Sequence, residues 1–179
     1  WTSDATQAHA LVDPDVASVT RSVFVFREIP FVLILDKVLK SETPSRIAAR
    51  WFVENRDLEG TVETDGTTFT MNRPHAKFYA THVSNQPFVV LDAKLPLDES
   101  MGVFPYAQVQ TSAMTKDALF ILAGSPLAPD ETQPNIEIQQ MGDTWEVEVT
   151  QGSHHLKLRI FDRAQIPEVE VIELTTGSN

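Results

Sequence analysis

The chain has 179 residues, with 25 Asp and Glu against 14 Lys and Arg, a formal net charge of −11 and no cysteine. That carboxylate excess repels nucleic acid and anionic lipid over the surface at large, an effect softened by salt screening beyond ~8 Å. The missing thiols exclude a disulfide framework, thiolate zinc sites and a cysteine nucleophile, and no apolar run approaches the roughly 18 residues of a bilayer span, so neither nucleic acid nor membrane is expected as a partner.

A periodicity of two marks strand after strand along the chain. Residues 20–38 string β-branched and aromatic side chains into more than one strand, and residues 46–54 add another. Asp65-Gly66 supplies the positive φ angles of a tight type I′ turn, which pairs residues 60–63 with residues 67–71. Strands follow over residues 77–83, 88–92, 106–111 and 118–123. Gly142-Asp143 turns residues 136–140 back onto residues 144–150, where Trp145, Val147 and Val149 alternate with Glu146 and Glu148. Gln151-Gly152-Ser153 leads into the alternation of Leu156, Leu158 and Ile160, and residues 168–174 bring the total to about a dozen.

Strands at this spacing, with turn signals between them and no helical periodicity, predict an all-β fold: an antiparallel β-sandwich, supersandwich-like, in two layers. One domain over residues 1–179 is expected, since a chain of this length builds a single substantial core. Pro44, Pro74, Pro96, Pro126, Pro129 and Pro134 are read as connections, because proline cannot donate to a ladder. Residues 125–134 are the one linker candidate, equally read as a long surface loop.

Signatures of chemistry are mostly absent from the sequence. No Gly-x-Ser-x-Gly elbow is present, and Gly124-Ser125 lacks the further glycines and lysine of a phosphate cradle. His154 and His155 are neighbours on a strand and so point to opposite faces, while His9, His75 and His82 stand apart from one another. None has zinc-ligand spacing, so no metal and no cofactor is called for. Glu146 and Glu148 share a strand face, and Glu168, Glu170 and Glu173 line another segment, where glycosidase carboxylate pairs are conceivable, but an ordinary wet sheet face reads the same.

For binding, the clustered cations are Arg46, Arg50 and Arg56 with Arg73 and Lys77. In so acidic a chain a sulfated or uronate polymer needs such a local basic patch; the plain alternative is solvated surface. Trp51, Phe52, Phe104, Tyr106 and Trp145 are the rings that could stack on pyranose, against the alternative that strand aromatics fill a core. Trp145 is assigned to the core and Phe104-Pro105-Tyr106 to an exposed group. The candidate substrate-binding set is therefore Arg46, Arg50, Trp51, Arg73 and Tyr106.

Three short signatures carry a family likeness: Asp4-Ala5-Thr6-Gln7-Ala8, then Arg21-Ser22-Val23-Phe24-Val25, then Leu35-Asp36-Lys37-Val38. With residues 120–126, they make the chain, from Asp4 to about Ile160, resemble the heparinase II/III-like polysaccharide lyases. The resemblance implies a parent enzyme that cleaves a uronate-containing polysaccharide by β-elimination. In that family an α-helical toroid precedes the β region, Tyr and His serve as acid and base, and a His-x-His-x-Asp-like motif contributes to a zinc site. All of these precede the Asp-Ala-Thr-x-Ala segment in family order. No catalytic residue and no zinc ligand is therefore carried onto this chain.

The expectation is a C-terminal β-sandwich region of such a lyase, inert alone, giving structural and cleft support. Its partners would be an upstream α-helical toroid of the same chain and, through the parent, an acidic polysaccharide such as a glycosaminoglycan or alginate. The opening Trp1-Thr2-Ser3-Asp4 lacks an initiator methionine and a basic or apolar leader, so the reading is of a piece whose export signal lay upstream or was removed. By resemblance the location would be periplasmic or secreted. The alternatives are a stand-alone carbohydrate-binding sandwich using Trp51 and Tyr106, a purely structural module, or an aldose epimerase-like sandwich whose His and carboxylate groups the sequence does not assemble.

Overall fold

A computed structural model describes residues 1–96 and 103–177. The chain order is β1 (Thr2–Asp4), α1 (Thr6–Ala10), β2 (Val16–Phe26), β3 (Phe31–Lys40), β4 (Ala48–Phe52), β5 (Thr61–Asp65), β6 (Thr68–Arg73), β7 (Ala76–Ser84), β8 (Phe88–Pro96), β9 (Val103–Thr111), β10 (Asp117–Leu127), β11 (Asn135–Met141), β12 (Thr144–Gln151), β13 (His154–Phe161) and β14 (Glu168–Thr175). Every ladder is antiparallel. The predicted hairpins form as read, with Gly66, Gly142 and Gly152 at φ of 57°, 66° and 60° in their turns.

The all-β sandwich is built from three sheets. A seven-stranded sheet runs β1-β2-β3-β10-β7-β6-β5, a four-stranded sheet β11-β12-β13-β14, and a three-stranded sheet β4-β9-β8. Leu33, Leu35, Leu119 and Ile121 on one face of the seven-stranded sheet pack against Trp145, Val147, Val149, Leu156, Leu158 and Ile160 of the four-stranded sheet. On the opposite face, Phe120 and Leu122 pack beneath Ala49, Ala107 and Val109 of the three-stranded sheet. The body thus has three layers, not the two expected from periodicity. The reason is β10: residues 118–125 are buried without interruption, because alternate side chains face different cores and none faces water.

Several local expectations are corrected. Pro96, read as a connection, is the last residue of β8 and pairs with Val103. Pro126 lies inside β10, but beyond Gly124 that strand keeps only β7 as a neighbour, so its missing N–H falls at a half-open edge. Pro105 is buried inside β9, past the last β4 partner of that strand, so it does not belong to an exposed group; the preceding Gly102 lies outside the described residues. Thr6–Ala10, read without any helix, form the single turn-and-a-half of α1, and Thr6 N–H bonds Oδ1 of Asp4, the last residue of β1, at 2.8 Å. Residues 125–127 of the linker candidate extend β10, and residues 128–134 carry the chain across to β11.

Candidate functional site

The three-stranded sheet covers only part of the face beneath it. Among the described residues its edge strand β4 has β9 as sole ladder partner, and beside that open edge the face continues across β3 and β2. The result is a groove of about 480 Å³. Val19 and Arg21 of β2 with Asp36 and Val38 of β3 form its floor; Trp1, Ser3 and His9 lie along one wall, and residues 46–50 along the other.

Charge in this groove is mostly paired. Register places Arg21 opposite Asp36, and the guanidinium grips the carboxylate through Nε–H to Oδ1 at 2.5 Å and Nη2–H to Oδ2 at 2.8 Å. The hydrogen bond to Asp36 pushes the Arg21 pKa above its usual value. The same guanidinium lies 4.4 Å from the ring centroid of Trp51. At one end Lys40 bonds Asp13, which is held below the usual carboxylate range first by that hydrogen bond. Among the described residues, Arg46 and Arg50 have no carboxylate partner. Two uncompensated guanidinium groups on the rim of a groove in a chain of net charge −11 make it the natural place for an anion.

The five predicted binding residues separate. Arg46 and Arg50 line the groove. Arg50 also meets Tyr106 on the outer face of the three-stranded sheet, with Cζ 5.7 Å from the ring centroid. Trp51, one residue along β4, turns to the inner face and packs against both small cores there, 5.9 Å from the His82 ring. Arg73 lies apart at the end of β6. It donates to Glu54 O at 2.9 Å and forms a two-point pair with Asp57, whose carboxyl is lowered to about 2 mainly by that hydrogen bond. Its role is to pin the loop after β4.

The remaining candidates resolve into structure. Trp145 is buried in the larger core. Glu146 and Glu148 share the outer face of β12; Glu146 is bonded by Arg159 at 2.7 Å and Lys157 at 3.0 Å, the Arg159 bond being the larger cause of its depressed pKa. His155 sits between Glu148 and Glu173 on that wet face. No three His, Asp or Glu side chains converge as a metal site among the described residues. The Arg21–Asp36 pair at the groove floor was not singled out as a site from the sequence. It was findable, because short antiparallel pairing around residues 27–30 sets those two residues opposite each other.

No protein-family model and no curated protein matches the chain. Solved structures do. A heparinase III gene product aligns at a TM-score of 0.56 and 12% identity over 83% of this chain. A mutant of the heparan sulfate lyase HepC from Pedobacter heparinus aligns at 0.55 and 10% identity over 89% of it. This chain spans about a quarter of the length of either structure, 24% in both cases. At such identity the likeness is one of backbone architecture, and it establishes that the chain has a heparinase III-like β fold.

Proposed function

We propose that the chain serves as the C-terminal β-sandwich region of a heparinase II/III-like polysaccharide lyase, walling one side of a cleft for an acidic polysaccharide and contributing no acid or base of its own. The observation that carries this is the groove beside β4, where Arg46 and Arg50 stand without carboxylate partners among the described residues. The heparinase III-like fold, matched over a quarter of much longer enzymes, supports it.

The edge of the groove also favours a role inside a larger assembly. Val25, on the β2 side of the same face, is 66% exposed, and the backbone of β4 is open along one side. A half-covered apolar face next to a free strand edge is a surface that further β structure would complete. In the proposed setting that cover comes from an upstream portion of the enzyme that includes the α-helical toroid, in a periplasmic or secreted protein. No helix among the described residues is long and apolar enough to cross a membrane.

The test is direct. Purified chain is mixed separately with heparin, heparan sulfate, chondroitin sulfate and alginate, and unsaturated uronate is followed by absorbance. No rise is expected, and turnover by the pure protein would overturn the non-catalytic role. Heparan sulfate oligosaccharides should bind weakly at low salt, with affinity falling as salt rises and at least tenfold weaker in Arg46→Ala/Arg50→Ala, as expected for loss of two charge contacts. Absence of any binding to the wild-type chain at low salt would remove the cleft-wall reading.

A further inference from the structure

The geometry points to a second carbohydrate-binding surface, on the outer face of the three-stranded sheet, that takes an anionic sugar unit against the Phe52–Tyr106 ring pair. Register makes the surface. Phe52 stands opposite Tyr106 and Arg50 opposite Gln108, so four side chains from two strands gather on the side away from the core. The two rings lie 4.8 Å apart at 39°, and Phe52 is 48% exposed, leaving aromatic surface available to the C–H face of a pyranose.

The polar groups beside the rings are already held in place. Arg50 Nε–H donates to Gln108 Oε1 at 2.8 Å, and Gln108 Nε2 donates to Gln110 Oε1 at 2.9 Å. This relay lays one guanidinium and two amides along β4 and β9 in fixed positions, so a ligand meets them without first ordering three long side chains. Alternation leaves positions 48, 50 and 52 of β4, 89, 91, 93 and 95 of β8, and 104, 106, 108 and 110 of β9 on this face. Arg50 is the single charged residue among them, and none is acidic. In a chain of net charge −11, a sheet face with a cation, amides and rings but no carboxylate among its described strand positions is complementary to a sugar acid. A polypeptide partner would instead centre on the apolar row Val89, Leu91 and Leu95 of β8, which offers nothing to the Arg50–Gln108–Gln110 relay.

This surface shares Arg50 with the rim of the groove but not its rings or amides, and one titration series that leaves Arg50 in place separates the two. The intact chain is titrated with a uronate-containing heparan sulfate oligosaccharide and with a neutral cello-oligosaccharide of equal length, using wild type, Phe52→Ala, Gln108→Ala, Arg46→Ala and Leu91→Asp. Binding of the acidic oligosaccharide should weaken about tenfold in Phe52→Ala and severalfold in Gln108→Ala, with Arg46→Ala retaining this component. Loss in Arg46→Ala with no effect of Phe52→Ala or Gln108→Ala would overturn the surface while leaving the groove intact. Equal affinity for the neutral ligand would overturn the anionic class. Self-association of the wild-type chain abolished by Leu91→Asp, with no sugar effect of Phe52→Ala or Gln108→Ala, would assign the face to protein contact. Gln108 is polar and partly exposed, so that variant keeps the test valid if Phe52→Ala folds poorly.

Discussion

His82 shows how a single side chain can set a property of the whole chain. It sits on β7, fully buried between Trp51 and Phe69, with ring centroids 5.9 and 5.5 Å away, and neither ring nitrogen has a hydrogen-bond partner among the described residues. Burial alone pushes its pKa down to about 3, because an imidazolium there would forgo its hydration with nothing in exchange. In the unfolded chain His82 binds its proton near pH 6.5. Its contribution is therefore complete above that pH and is lost as pH falls toward 3, by about 1.4 kcal/mol per pH unit in the window where only the unfolded state is protonated. Paired carboxylates such as Asp57 and Glu146 also weaken the fold in acid, so the comparison of wild type with His82→Leu isolates the histidine. The variant should show a visibly smaller drop in urea midpoint between pH 7 and pH 4.5, and at pH 7 it should be as stable as wild type or more so, since two unpartnered polar atoms are gone. Parallel pH curves for the two proteins would refute the assignment.

At the scale of the element, β10 organises the molecule, and one glycine lets it do so. A Cβ on Gly124 would come within 2.5 Å of Phe78 Cζ and 2.9 Å of the Tyr79 carbonyl oxygen. The ladder between β10 and β7 thus closes only around a residue without a side chain. Gly124→Ala should lower stability by about 2 kcal/mol, as overpacking does in cores, read as a shift in urea midpoint at unchanged slope. Gly124→Ala with Phe78→Leu should recover part of it, because the flexible obstacle retreats while the backbone oxygen stays; no loss in the single variant would mean the ladder can shift freely. This strand also shows where sequence reading stops. Alternation located most strands, and Asp65-Gly66, Gly142 and Gly152 located hairpins, because local backbone geometry writes itself into turn residues. The run Phe120-Ile121-Leu122-Ala123 carries no alternation, since both of its faces are buried, and its place between β3 and β7 leaves no turn to read. The site divides the same way. Arg21 and Asp36 are close along a hairpin, whereas Arg50 and Gln108 meet across a separation of 58 residues set only by how β4 docks on β9.

For the molecule as a whole, the shared sheet makes the two outer layers interdependent. Removing the four-stranded sheet would uncover Phe31, Leu33, Leu35, Leu119 and Ile121, all fully buried. At roughly 1.5–3 kcal/mol for each large apolar side chain, that exposure costs on the order of 10 kcal/mol, as much as the entire stability of a typical domain. Polar ties add to it: Lys37 on β3 bonds Asp162 and donates to Ala164 O at 2.9 Å, and Gln165 donates to Ser18 Oγ at 2.6 Å, joining the loop after β13 to the central sheet. The opposite layer rests on the same strands through Phe120 and Leu122. A state with one layer detached is thus too costly to populate, and the chain should unfold as one unit. The tryptophans report this cleanly, since Trp145 lies in the core beneath the four-stranded sheet, Trp51 on the inner face of the three-stranded sheet, and Trp1 is 76% exposed. In a Trp1→Phe background, Trp51→Phe and Trp145→Phe each leave a single indole packed against a core, Trp145 buried and Trp51 partly buried. Each should lose its fluorescence signal at the same urea concentration as the far-UV circular dichroism of that same variant. A fluorescence midpoint well below the dichroism midpoint in either variant would show that the layer it reports separates first, and would break the interdependence argued from β3 and β10.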